Sequence, residues 1–88
     1  MFGYTISIET NENKFYEICK TLETKLNMTN QNKEKMLEDV DGTIIQIYWV
    51  LGKKIKVVND YEVDAVYIDS EIDLSKIITD YIIYKHKK

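Results

Sequence analysis

Arginine and proline are both absent from this sequence of 88 residues, and cysteine and histidine occur only once each. Because all twelve basic residues are lysine, the chain has no guanidinium group for bidentate recognition of phosphate or guanine. The lone cysteine, Cys19, cannot form an intramolecular disulfide, which favours a reducing compartment. The abundance of Ile, Lys, Asn and Tyr is typical of A+T-rich coding DNA and predicts a bacterial or phage source.

Long apolar runs and glycine-rich loops are also lacking. No run approaches the roughly 18 apolar residues of a membrane span, and the N-terminal residues do not form a signal-peptide pattern, so we expect a cytoplasmic protein. The three glycines are well separated, so we expect no phosphate-binding loop. The length suits one small domain, residues 1–88, with a thin core.

The spacing of the apolar residues predicts the order β-α-β-β-β-β-α. We expect strands at 2–9, 36–40, 43–51, 54–58 and 62–69, and helices at about 12–27 and from Asp73 to the early eighties. The 36–40 segment is also compatible with a helical turn, but the Val40-Asp41-Gly42-Thr43 hairpin signal favours a strand. The expected fold is α+β: a single antiparallel sheet of four or five strands with two helices on one face.

The strand predicted at 43–51 is apolar on both sides. Ile45, Ile47 and Trp49 alternate with Ile44 and Tyr48. Two helices can cover one face of the sheet, so the other face is expected to meet solvent, a second subunit or a partner. The alternative is that another segment, such as 28–41, covers that face.

The segment 59–73 carries the densest negative charge in the chain. Its six carboxylates flank the apolar run 65–68, and no lysine lies among them: Asp60, Glu62, Asp64, Asp69, Glu71 and Asp73. An apolar centre with a charged rim is typical of a protein-binding surface. The alternative is that these acids occupy turns and a helix cap or are simply solvated.

Residues suited to catalysis or metal binding are sparse. The spacing of Asp69, Glu71 and Asp73 resembles the start of a calcium loop, but Leu74 stands where that loop requires glycine. Cys19 lies on an apolar helical stripe, without a base close in sequence. We therefore expect no catalytic residue, no metal and no cofactor.

The sequence predicts a non-enzymatic, protein-binding function. The main hypothesis is a small acidic inhibitor, such as an immunity protein, an antitoxin or a phage anti-defence protein. It would occlude the basic, nucleic-acid-binding surface of a nuclease toxin or host defence factor, without binding nucleic acid or membrane itself. The expected partner-binding residues are Tyr48, Asp60, Tyr61, Glu62, Asp64, Tyr67, Asp69 and Glu71. The alternative is a homodimeric or hetero-oligomeric structural subunit without an inhibitory role.

Overall fold

Alternating apolar residues build an antiparallel sheet in the structure of this chain, a computed structural model that describes residues 1–87. Its strands are β1 (Phe2–Ser7), β2 (Leu37–Glu38), β3 (Ile44–Val50), β4 (Lys53–Asp60), β5 (Ala65–Ser70) and β6 (Tyr84–Lys87). One α-helix, α1 (Glu12–Lys25), follows β1, and 3-10 turns lie at Asn30–Asn32 and Thr79–Tyr81. Lys88, the last residue of the predicted domain, lies outside the described residues.

The strand order across the sheet is β2-β3-β4-β5-β1-β6, and every neighbouring pair is antiparallel. Strands β2 to β5 form a meander because each is joined to the next by a short turn. β1 then pairs with β5, and β6 closes the order by pairing with β1. The prediction of an antiparallel α+β fold is confirmed, whereas the predicted strand number was too low by at least one.

Helix α1 forms where the sequence predicts it. The side chain of Asn11 caps it by accepting a hydrogen bond from the amide of Lys14 at 3.0 Å. The amide of Asn11 itself donates to Oδ1 of the buried Asn59 at 3.0 Å, which fixes the helix start against β4. The buried face of the helix consists of Phe15, Ile18, Cys19 and Leu22.

The predicted second helix was wrong. Its apolar residues are placed as the pattern indicates, since Leu74 and Ile78 are buried and Ile77, Tyr81 and Ile82 pack against the core. The backbone, however, runs through separate turns and then enters β6. Much of the segment consists of β-branched residues, which lower helix propensity, and the edge of β1 offers a ladder of hydrogen bonds instead.

The short segment 36–40 is a strand at Leu37–Glu38, as its hairpin signal predicted. The amide of Asp39 donates to the carbonyl of Thr43 at 2.8 Å, and Gly42 adopts φ +92° in the turn between them. A positive φ of this kind favours glycine. β2 is therefore a genuine strand, although only two residues long.

One face of the sheet carries the core, and we call the other the open face. From β3 the core receives Ile44 and Tyr48, and the cluster continues through Ile55 and Val57 on β4 to Val66 and Ile68 on β5. Strand β1 adds Tyr4 and Ile6, and helix α1 and the segment 71–83 supply the remaining residues of the buried cluster. Ile45, Ile47 and Trp49 therefore lie on the open face, as the exposure of the Trp49 side chain confirms.

Candidate protein-binding surface

Three chain segments meet at one end of the sheet: 8–11 after β1, 38–43 between β2 and β3, and 60–64 between β4 and β5. The register brings them together, because Glu38 pairs with Ile44 and Ile44 pairs with Asn59. We call this surface the acidic end. It is a surface of turns, held in place by the strands that lead into it.

Hydrogen bonds fasten the three segments to one another. Asp64 accepts from both the amide and the hydroxyl of Thr10, at 2.9 and 3.2 Å. The amide of Tyr61 donates to the hydroxyl of Thr43 at 3.0 Å, and a side-chain carbon added to Gly42 would lie 3.3 Å from the Tyr61 ring. The acidic end is thus one connected surface rather than three independent loops.

Asp60 organises the turn between β4 and β5. Its Oδ1 accepts from the amide of Glu62 at 2.9 Å, and its Oδ2 accepts from the hydroxyl of Tyr67 at 3.1 Å. Burial, followed by the hydrogen bond to Asp60, raises the pKa of Tyr67 to about 12. Asp64 ends the turn with φ +54°, a conformation that aspartate adopts more readily than bulkier residues.

The charge of this surface has one sign. Its three segments contain no lysine and hold the following carboxylates: Glu9, Glu38, Asp39, Asp41, Asp60, Glu62 and Asp64. Ordinary protein surfaces intersperse both signs. Because all of these side chains except the half-buried Asp60 are exposed, the acidic end presents a concentrated negative potential to solvent.

Apolar side chains project from the same surface. Val40 is completely exposed, at 104%, and Ile8 and Val63 are exposed at 70% and 62%. Tyr61 is about half exposed at 47% and rests against the backbone of Gly42. Burying apolar area contributes about 25 cal/mol per Å², so these residues would favour binding wherever a partner covers them.

The other half of the predicted acidic segment lies away from this end. β5 rises by about 3.3 Å per residue, so its six residues (Ala65–Ser70) separate the two acidic flanks by almost 20 Å. Glu71 accepts from the amide of Lys54 at 2.6 Å. Asp73 accepts from the hydroxyls of Tyr4 and Ser75, at 3.0 and 2.6 Å. Hydrogen bonds from Ser75, before that from Tyr4, lower the pKa of Asp73.

The structure therefore divides the predicted partner-binding residues. It brings together Asp60, Tyr61, Glu62 and Asp64, with Tyr67 adjoining them through Asp60. Asp69 lies on the open face, cross-strand from Lys56, and Glu71 lies at the opposite end of the sheet.

Tyr48 was wrongly placed by the prediction. Its side chain is fully buried, and its hydroxyl donates to Oε2 of Glu23 at 2.6 Å. Burial, followed by this hydrogen bond, strongly raises its pKa. Tyr48 is therefore a core residue and offers no contact area to a partner.

Sequence reasoning missed several residues of the acidic end, namely Ile8, Glu9, Glu38, Asp39, Val40 and Asp41. The Val40-Asp41-Gly42-Thr43 turn was a visible signal of a hairpin, but its distance from residues 60–64 in the sequence concealed their proximity. The turn is well formed, since the amide of Thr43 donates to Oδ1 of Asp41 at 2.9 Å. That hydrogen bond lowers the pKa of Asp41.

Among residues 1–87, no group of three or more His, Cys, Asp and Glu side chains is arranged to hold a metal ion. Burial raises the pKa of the Cys19 thiol to about 11, so the thiolate is scarce at neutral pH. In the described part of the chain, no helix has the length and apolar character needed to cross a bilayer.

Comparison with known proteins gave no match at any level. No family model matches the sequence, no curated protein matches it, and no solved structure matches the fold.

Proposed function

We propose that this chain is a non-enzymatic protein-binding protein whose acidic end engages a basic surface of another protein. One observation carries the proposal. The three segments of the acidic end contain no lysine, and they place seven carboxylates around four exposed apolar residues, Ile8, Val40, Tyr61 and Val63. Negative charge alone attracts many cationic molecules. The combination with exposed apolar side chains supports a partner that has its own apolar contacts to bury.

The two components of the surface would act at different stages of binding. The carboxylates accelerate encounter with a basic partner by long-range attraction, which salt screens over about 8–10 Å. The apolar residues and Tyr61 then contribute short-range contact that slows dissociation. The proposed partner is therefore captured quickly at low salt and held by contacts that depend less on salt.

The proposed biological role is inhibition by occlusion. A surface that binds nucleic acid through lysine and arginine is complementary in charge to the acidic end and would be blocked by it. An immunity protein, an antitoxin or a phage protein that blocks a host defence factor would act in this way. The proposal places the protein in the cytoplasm, where such targets meet nucleic acid.

The test is capture of a partner from host lysate, followed by kinetic measurement with the purified partner. We expect the wild type to capture a basic protein with an association rate that falls as salt rises. Glu38→Lys/Glu62→Lys should reduce that rate by at least about tenfold, because it changes the charge of the acidic end by four units. Neither side chain forms a described hydrogen bond that the fold requires.

The matched control is Glu17→Lys/Asp80→Lys, which changes the same amount of charge at exposed positions beside α1 and the segment 71–83. It should bind the partner almost as the wild type does. Equal capture by Glu38→Lys/Glu62→Lys and the wild type would contradict the proposal. The proposal would also be contradicted if the charge-reversal variant weakened capture but Val40→Ser left it unchanged. The acidic end would then attract cationic proteins without specific apolar contacts.

A further inference from the structure

The open face of the sheet carries a row of side chains that lies outside the acidic end, apart from Tyr67, whose hydroxyl donates to Asp60. The strand register aligns one residue from each of the six strands: Leu37, Ile45, Val58, Tyr67, Thr5 and Tyr84. All of them except Thr5 are apolar or aromatic. Ile47 and Trp49 extend this row along β3.

Helix α1 and the segment 71–83 pack against the other face, so the outer side chains of this row keep part of their surface in contact with solvent, whereas Val58 at its centre is buried among its neighbours. Leu37, Trp49 and Tyr84 are all exposed in the described chain, and Ile45, Ile47 and Tyr67 are partly so. Monomeric proteins rarely leave a contiguous apolar patch of this kind uncovered. The charges around the row indicate what covers it.

Strand β4 shows the charge pattern that identifies the partner. Its side chains on the open face are Lys54, Lys56, Val58 and Asp60, so a lysine and an aspartate stand two residues either side of Val58. A two-fold axis that crosses the strands at Val58 reverses the strand direction in the second copy. Lys56 of each copy then lies opposite Asp60 of the other.

We propose that two copies of this chain pack open face to open face about such an axis, forming a β-sandwich dimer. The two apolar rows meet at the centre, and two Lys56–Asp60 pairs flank them. Two-fold dimers require such a self-complementary surface, and sheets packed face to face keep their strands within about 30° of alignment.

The size of the open face is sufficient for a specific dimer of modest affinity. Six strands spaced by about 4.8 Å span roughly 24 Å. The four central strands, β3, β4, β5 and β1, have six to eight residues and span roughly 20–25 Å, whereas β2 and β6 at the edges are shorter. Covering such a face on both copies removes on the order of 1,000 Å² from solvent, which is the lower limit for a biological interface.

This arrangement has a consequence for the acidic end. Because the axis reverses the strand direction, the acidic ends of the two copies point to opposite poles of the dimer. Both ends remain open to solvent apart from Asp60 at the edge. The dimer does not depend on the proposed function, since it forms from the protein alone.

Analytical ultracentrifugation of the purified chain tests the proposal. We expect a monomer–dimer equilibrium with a dissociation constant in the micromolar range, which corresponds to about 8 kcal/mol. Trp49 is the sole tryptophan and lies on the open face, so its fluorescence should shift to longer wavelength as dilution separates the copies. A single monomeric species up to about 100 μM, a hundredfold above a micromolar constant, would overturn the proposal.

Two variants locate the interface. Lys56→Glu places like charges opposite each other twice and should raise the dissociation constant by at least about tenfold, with partial recovery in about 1 M salt, where the screening length is only about 3 Å. Leu37→Glu should weaken the dimer irrespective of salt, because it introduces a charge into the apolar row. Circular dichroism will establish that both variants fold.

Lys20→Glu is the matched control, since it makes the same charge change on the exposed side of α1, away from the open face, and should dimerise as the wild type does. A dimer that both open-face variants leave unchanged would place the interface elsewhere, for example at the β6 edge, and would overturn the proposal. The dimer measurement uses the purified chain without a partner protein. Its result therefore does not depend on the outcome of the capture experiment at the acidic end.

Discussion

Tyr48 and Trp49 are neighbours on β3, yet the first is fully buried and the second is 43% exposed. The alternation of a strand sends them to opposite faces. Both are large aromatic residues, so residue type alone does not decide which of them enters the core. The difference between them reflects the two faces of the sheet, because α1 and the segment 71–83 cover the face that carries Tyr48.

The covered face is closed by specific polar contacts. The hydroxyl of Tyr48 donates to Glu23 on α1, and Glu23 also forms an ion pair with Lys33 at 3.4 Å. A buried hydroxyl needs such a partner, because an unpaired one costs several kcal/mol. On the open face, the indole Nε1 of Trp49 donates to the Glu34 carboxylate at the surface, and solvent can replace that partner.

The largest expected effect is the loss of Tyr48. Tyr48→Ala removes a fully buried ring and leaves Glu23 without its hydroxyl partner, so it should lower the free energy of unfolding by about 3–5 kcal/mol. Trp49→Ala, measured at a low concentration where the chain is monomeric, should lower it by only about 1 kcal/mol. Denaturant titration of both variants compares the two faces directly. Equal losses would mean that the open face is as well packed as the core.

Alkaline pH should weaken the fold through the buried Tyr48 and the partly buried Tyr67. The pKa of Tyr67 is raised to about 12 and that of Tyr48 is raised strongly, from 10.0. The unfolded chain therefore loses these protons at lower pH than the folded chain. The corresponding stability is fully present below about pH 10 and is lost as the pH rises through the folded values.

Thermal unfolding between pH 9, about one unit below the ordinary tyrosine pKa, and pH 12, about the raised pKa of Tyr67, measures this effect. Tyr67→Phe should show a smaller alkaline loss than the wild type, whereas Tyr16→Phe, at an exposed position on α1, should follow the wild-type curve. Parallel curves for Tyr67→Phe and the wild type would mean that the hydrogen bond between Tyr67 and Asp60 does not hold the phenol in its neutral form.

The smallest expected effect distinguishes the two flanks of β5. Asp73 accepts three hydrogen bonds, two from Ser75 and one from Tyr4, whereas the side chain of Glu62 extends into solvent. Asp73→Ala should lower the melting temperature clearly, and Glu62→Ala should change stability by no more than about 0.5 kcal/mol. A larger loss from Glu62→Ala would assign a structural role to the acidic end and weaken the case for binding there.

Local patterns predicted most of the secondary structure. The alternation in residues 2–8 gave β1, the helical stripe from Phe15 to Leu22 gave α1, and the turn at Gly42 gave β2. Each of these signals depends on neighbours within a few residues, so the sequence contains it completely.

The C-terminal segment shows where local patterns are insufficient. Leu74, Ile78 and Ile82 follow a helical spacing and do contact the core, so their burial was predictable. The choice of turns and a strand over a helix depended on the edge of β1, which lies about 80 residues away in the sequence. A pairing over that distance has no signature in the segment itself.

Only part of the acidic end was predictable, because sequence patterns reveal residues of one turn but not the proximity of two turns. Asp60, Tyr61, Glu62 and Asp64 were singled out because they lie within five residues of one another, around a single turn. Asp39, Val40 and Asp41 join them only because β2, β3 and β4 pair in a register that aligns the two turns.

By itself, the sequence determined the alternation of the strands, the amphipathic helix, the lack of arginine and the excess of carboxylate between residues 59 and 73. The tertiary structure alone decided which side of β3 faces α1, and which carboxylates share a surface. The physical reason is that strand alternation and helical periodicity depend on residues close together in the chain. Burial and charge density depend instead on distant segments that only strand pairing brings into contact.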